Sequence, residues 1–158
     1  MFLQMTVSGL RMDPSTDAPL VVLKDDSGMI VLPIWIGASE AHAIAVQLES
    51  IRLARPLTHD LVSTLLAMLG GELLRVEIHD LREETFYAAL VVRRGHETFQ
   101  IDSRPSDAIA LALRAGAGIF VARKVVEAAR PPGVPSDKDP WERVIQTLPD
   151  AAYGKWKH

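Results

Sequence analysis

Thr98-Phe99-Gln100-Ile101-Asp102-Ser103-Arg104-Pro105-Ser106-Asp107-Ala108-Ile109-Ala110-Leu111-Ala112-Leu113-Arg114 changes character at its centre. Thr98 to Asp102 reads as a strand, with Phe99 and Ile101 inward. Residues 105 to 115 read as a helix that is apolar almost all round, so it should be deeply buried. Pro105 suits the first helical turn, and Gly116 and Gly118 end the run. Between strand and helix lie two carboxylates, two hydroxyls and a guanidinium. Helix capping explains Asp107, which would meet the positive end of the dipole. It leaves Asp102 and Arg104 without a task. A strand end feeding a helix start is also where backbone N–H groups collect anions.

Outward from this corner, the preceding segments form an antiparallel meander. Arg75 to Leu81 and Thr85 to Val92 alternate, and Arg93-Arg94-Gly95-His96 reads as a turn. Further back, Asp25-Asp26-Ser27-Gly28 joins the β-rich runs Leu20 to Lys24 and Met29 to Leu32 into a hairpin. Pro33 cannot donate to a ladder, so that second strand should change role there. Phe2 to Leu10 alternates loosely. Residues 38 to 53 predict a helix with Ile44, Leu48 and Ile51 on its apolar stripe. Residues 59 to 69 predict another, with Leu61, Leu65 and Met68 on one face and Gly70-Gly71 as its stop. Ile119 to Val121 is a short strand and Lys124 to Arg130 a short helix. Helices and strands come in blocks, so the class is α+β: one compact domain, mostly antiparallel, with three main helices. The domain spans 1–130. Residues 131–158 read as a Pro-rich linker and tail, in which Trp141 to Leu148 forms one or two amphipathic turns.

The chain has 158 residues, no cysteine and a net charge of -3. Disulfides and thiolate metal sites are excluded, and a reducing, cytoplasmic setting is expected. The N-terminus does not read as a signal peptide, and no apolar run reaches membrane-spanning length. A dedicated duplex-DNA binder would be basic, so any nucleic-acid role must rest on a local patch or a metal ion.

Three helix starts carry acids: Glu40 after Gly37, Asp60 after Thr58, and Asp107 after Arg104. Each is ordinary capping grammar taken singly. Together they permit three helix N-termini around one pocket, which would attract phosphate. Glu40, Asp60, Asp102 and Asp107 are then candidate ligands for Mg²⁺ or Mn²⁺, which prefer oxygen. His59 is a candidate base, because a cation is disfavoured at a helix N-terminus and a neutral imidazole can take a proton. Arg104 would clamp phosphate, with Ser103, Ser106 and Thr58 as further substrate-binding candidates. His42 lies two residues from Glu40 and points away from it on a helix, so it reads as a packing or surface residue.

Several segments resemble the bifunctional nuclease family. These are Leu32-Pro33-Ile34-Trp35-Ile36-Gly37 with Glu40-Ala41 and Ile44, Arg55-Pro56-Leu57-Thr58-His59-Asp60-Leu61, and Ile101 to Ala112. Phe86-Tyr87-Ala88 and Ile119-Phe120-Val121 also fit, so the likeness covers roughly residues 1 to 130. The resemblance implies a compact α+β nuclease that acts on RNA and single-stranded DNA and is often a homodimer. Its motif positions here are Glu40, His59, Asp60, Asp102, Arg104, Ser106 and Asp107. Two readings stand side by side. One is a metal-assisted nuclease, with Asp102, Asp107 and either Glu40 or Asp60 as ligands and His59, Asp102, Arg104 and Asp107 as catalytic residues. The other is a regulatory module without enzymatic activity that binds a phosphorylated ligand or a protein.

Overall fold

The computed structural model describes residues 1–133 and 139–151. The strands are β1 (Phe2–Asp13), β2 (Ala18–Asp25), β3 (Val31–Trp35), β4 (Gly71–Arg82), β5 (Thr85–Arg94), β6 (Glu97–Ser103) and β7 (Gly118–Ala122). The helices are α1 (Ala38–Leu48), α2 (Thr58–Met68), α3 (Pro105–Ala115), α4 (Arg123–Ala128) and α5 (Glu142–Thr147). One seven-stranded sheet runs in the order β3-β2-β1-β7-β4-β5-β6. Every pair is antiparallel except β4 with β7. The molecule is the expected α+β domain with the expected meander β4-β5-β6, but Phe99 and Ile101, expected inward, are exposed, because β6 is an edge strand. No helix among the described residues is long and apolar enough to cross a membrane.

α3 matches its expected bounds, because Pro105 opens it and Gly116 closes it at φ 64°. Its Ala108, Ile109, Ala110 and Ala112 join the main core with Val76, Ile78, Ala88 and Leu90 of the sheet. α3 is also the hub of the helical layer, packing on α1, α2, β4 and β5. That burial is why its all-round apolar character is tolerated.

Three expectations are corrected. β3 runs straight through Pro33, which pairs with Val22. It is an edge strand, where a missing N–H costs no ladder bond. α1 ends at Leu48, five residues before Leu53, as Ser50 turns left-handed at φ 52°. The expected apolar stripe of α2 points outward: Leu61, Leu65 and Met68 are exposed, Met68 at 80%. Leu66 is the α2 residue that packs against the core instead.

The opposite face of β2 is covered too. Leu20, Val22 and Val31 form a second cluster with Ile145 of α5, flanked by Trp141 and Leu148. Trp35 meets Trp141 edge-on at 6.0 Å, and its Nε1 donates to Asp13 at 2.9 Å. The composition of the linker continues through residues 134 to 137, and Tyr153 to His158 close the chain; these lie outside the described residues.

Candidate active site at three helix starts

Arg104 precedes a proline, which restricts its backbone to extended conformations. It sits at φ -71°, ψ 146° as the N-cap of α3, so its side chain leaves the strand end and crosses toward α1. Its Nε donates to Asp107 Oδ2 at 2.8 Å. One terminal nitrogen donates to Asp107 Oδ1 at 3.1 Å and to Glu40 Oε1 at 2.7 Å. Asp107 Oδ1 also meets His59 Nε2 at 2.8 Å, across 48 residues of sequence. A continuous chain of polar contacts, Glu40–Arg104–Asp107–His59, therefore links the first turns of α1, α3 and α2.

These first turns surround one open cavity of about 600 Å³. Its walls include Ser39 and Glu40 of α1, Thr58 and His59 of α2, and Arg104 and Asp107 at α3. Apolar atoms of Ala43, Val62 and Leu111 line its floor. No N-cap side chain closes α1 or α3, so their leading N–H groups remain available to an anion.

Burial pushes the Asp107 carboxyl up, but the hydrogen bonds from Arg104 and His59 and the Arg104 charge outweigh it. The group is held below the ordinary carboxylate value. An ionised carboxylate only accepts, so Nε2 of His59 carries the proton in this contact. In the tautomer that this contact selects, Nδ1 is the ring nitrogen with a free lone pair. Arg104 spends three N–H bonds on the two acids. Its other terminal nitrogen stays uncommitted on a side chain that is 65% exposed. A Cβ at Gly37 would meet the Glu40 carboxylate, so a larger residue there would push that side chain away from its present position.

The candidate residues divide into groups. Glu40, Thr58, His59, Arg104 and Asp107 come together at the cavity. Asp60 does not join them: its Oδ2 caps the Leu57 N–H at 2.8 Å and its Oδ1 takes Arg114 Nε at 2.7 Å. Burial raises its carboxyl, and these partners more than reverse that, so it too is held low. Asp102 lies on β6 opposite Ala89. Ala88 and Leu90 face the helical core, so alternation turns Ala89 and Asp102 to the other side of the sheet. Ser103 donates to the Arg104 carbonyl at 3.0 Å. Ser106 lies beyond Arg104, on a second cavity.

Among the described residues no three His, Asp or Glu side chains are disposed to hold a metal ion. Arg104 stands between Glu40 and Asp107, where an ion shared by them would sit. The donor set therefore does not fit a divalent cation as these side chains are arranged.

Two site residues escape sequence reading. His42 lines the cavity. Spacing excluded it only as a partner of Glu40, whereas the other walls come from other helices. Arg114, 5% exposed, binds Asp60 and donates to the carbonyls of Ala43 and Ala110 at 3.1 and 2.9 Å. It ties α1, α2 and α3 together, and a lone basic residue closing an otherwise apolar helix was its only signal. Removing one partner of a fully buried pair costs about 3–5 kcal/mol. Asp60 is 38% exposed, so Arg114→Ala should lose roughly 2 kcal/mol after solvent screening. Urea unfolding measures this. Arg114→Lys should not restore it, since an ammonium cannot reproduce the fork.

A family model described as "Bifunctional nuclease domain" matches residues 21–132, which contain every residue of the polar chain. An uncharacterized protein of Mycobacterium tuberculosis is 43% identical over 126 residues, 80% of this chain and 75% of its own length. Bifunctional nuclease 1 of Oryza sativa subsp. japonica is 28% identical over 120 residues, 73% of this chain. Bifunctional nuclease 2 of the same plant is 28% identical over 121 residues. The aligned segments make up 36% and 37% of these two rice proteins.

Proposed function

Because the chain belongs to the bifunctional nuclease domain family, we propose that it hydrolyses phosphodiester bonds of RNA and single-stranded DNA in the cavity between α1, α2 and α3. The observation that carries this reading is the chain Glu40–Arg104–Asp107–His59 at the meeting point of three helix starts. The substrate phosphate lies against the free side of Arg104, with the leading N–H groups of the helices adding positive potential. His59 Nδ1 takes a proton from the attacking water as its oxygen bonds to phosphorus. The ester P–O bond breaks, and the departing oxygen takes a proton from the imidazolium or from solvent. Asp107 orients His59 and steadies its charged form, as a carboxylate does behind any such base. Glu40 holds Arg104 in place.

No step of this scheme passes through a metal. Cleavage that persists in EDTA is the expected result. Strict dependence on Mg²⁺ or Mn²⁺ would mean that Arg104 swings out and yields Glu40 and Asp107 to an ion. The activity test is hydrolysis of single-stranded RNA and DNA by highly purified protein, with Arg104→Ala alongside. Loss of the clamp should raise KM and lower kcat/KM by about 100-fold, the scale of one transition-state donor. Thermal stabilisation by a phosphorylated ligand with no turnover would favour the regulatory-module reading instead.

The outward stripe of α2 is the proposed contact with a second copy of the chain. Leu61, Leu65, Met68 and Leu69 are all exposed there, an apolar concentration that a monomer has little reason to keep. Sedimentation should show a dimer, and Leu65→Glu should return it to a monomer. A wild-type monomer at all concentrations would overturn this assignment.

A further inference from the structure

Arg104 lines two cavities. The larger holds His59 and Asp107; the smaller, about 380 Å³, lies beyond Arg104. Trp35 at the end of β3 and Thr85 at the start of β5 both border the smaller cavity. Ile36 and Gly37 come from the β3–α1 link, Glu84 and Phe86 from the β4–β5 hairpin, and Ser106 from the first turn of α3. None of these belongs to the polar chain described above.

Three features of the smaller cavity call for a ligand. Ser106 is 6% exposed and lines the cavity, where its hydroxyl can both donate and accept. Glu83 and Glu84 both occupy the left-handed region, at φ 46° and 62°, in the two-residue turn between Arg82 and Thr85. Such turns favour Asn and Gly, and glutamates carry strain there. Glu84 borders the cavity. Finally, Phe86 and Ile36 supply apolar wall beside these polar groups, the mixture typical of small-molecule sites.

We infer that the smaller cavity is a nucleoside subsite, which receives the base and sugar on one side of the phosphodiester held by Arg104. This rests on the nuclease reading and deepens it. A phosphodiester joins two nucleosides, and a guanidinium shared by two cavities places one on each side. Phe86 offers a ring for the base to pack on. Glu84 accepts from an exocyclic amine of adenine, cytosine or guanine. Ser106 bonds a sugar hydroxyl. Two nucleosides held in separate cavities are unstacked, which suits a single strand and rejects a duplex.

The test uses the full chain and four substrates: the dinucleotides ApA and UpU, and two ApA analogues with an abasic ribose on one side or the other. Loss of the base on the subsite side should lower kcat/KM of the wild type about 10-fold. Phe86→Ala should lower ApA cleavage by a similar factor, and the two losses should not add. Glu84→Gln and Ser106→Ala keep the test open where Phe86→Ala is poorly folded. Glu84→Gln should slow ApA but not UpU. Wild-type cleavage of ApA that is indifferent to the abasic changes and to Glu84→Gln and Ser106→Ala overturns the subsite and leaves the nuclease reading standing. Failure of the wild type to cleave ApA and longer single-stranded RNA overturns both.

Discussion

Asp107→Ala should lower single-stranded RNA cleavage by about 10³-fold while the protein remains folded, within the range that a positioned acid–base pair supplies. Both Asp107 oxygens are engaged, by Arg104 and by His59, so one truncation releases the phosphate clamp and the base together. Losses from Asp107→Ala and His59→Ala should therefore overlap rather than multiply, because residues that act as one unit are not additive. Asp107→Asn is the sharper variant. It keeps the shape but offers an amide to a histidine that needs an acceptor, which leaves the ring free to take the wrong tautomer. Circular dichroism checks the fold. Single-turnover kinetics reads the chemical step apart from binding. Wild-type rates in either variant would remove Asp107 from the machinery.

Ile109→Ala should destabilise the protein by about 2–5 kcal/mol, the usual span for emptying a buried aliphatic site. Ile109 has no exposed surface and joins the core that binds α3 to the sheet. α3 is surrounded by α1, α2, β4 and β5, so the cavity left behind has little room to collapse. The midpoint of thermal unfolding should fall by roughly 5–15 °C. Activity measured well below that midpoint should persist, since Ile109 does not line either cavity. A change under about 1 kcal/mol would show that the neighbours repack freely, against the close packing expected of such a core.

Local grammar made much of this structure legible. α3 could be bounded in the sequence because a proline opens it and a left-handed glycine closes it. The meander was legible because three alternating runs are joined by short turns. Tertiary facts were not. Nothing in Ile119-Phe120-Val121 says that β7 inserts between β1 and β4, parallel to the latter. The stripe of α2 has helical period, but periodicity cannot say whether the stripe meets the core or solvent.

The site divides the same way. Residue types at helix starts were visible, and the convergence of those starts was not. Capping explained Asp60 and Asp107 equally well in sequence. Asp60 does cap, reaching back to Leu57, while Asp107 reaches out to His59 and Arg104. The difference lies in partners 48 and 54 residues distant. Asp102 was separated from the cavity by the side-chain alternation of one edge strand, which depends on a register that no single strand reveals.

The central claim is that nucleic acid binds across three helix starts with its phosphate on Arg104. Amide shifts of the His59→Ala protein, titrated with a short single-stranded RNA, test it most directly. The account predicts that the largest shifts fall at Ser39 and Glu40, at Thr58, and at Ser106 and Asp107. Shifts centred instead on the Arg93-Arg94 turn, or none at all, would contradict it.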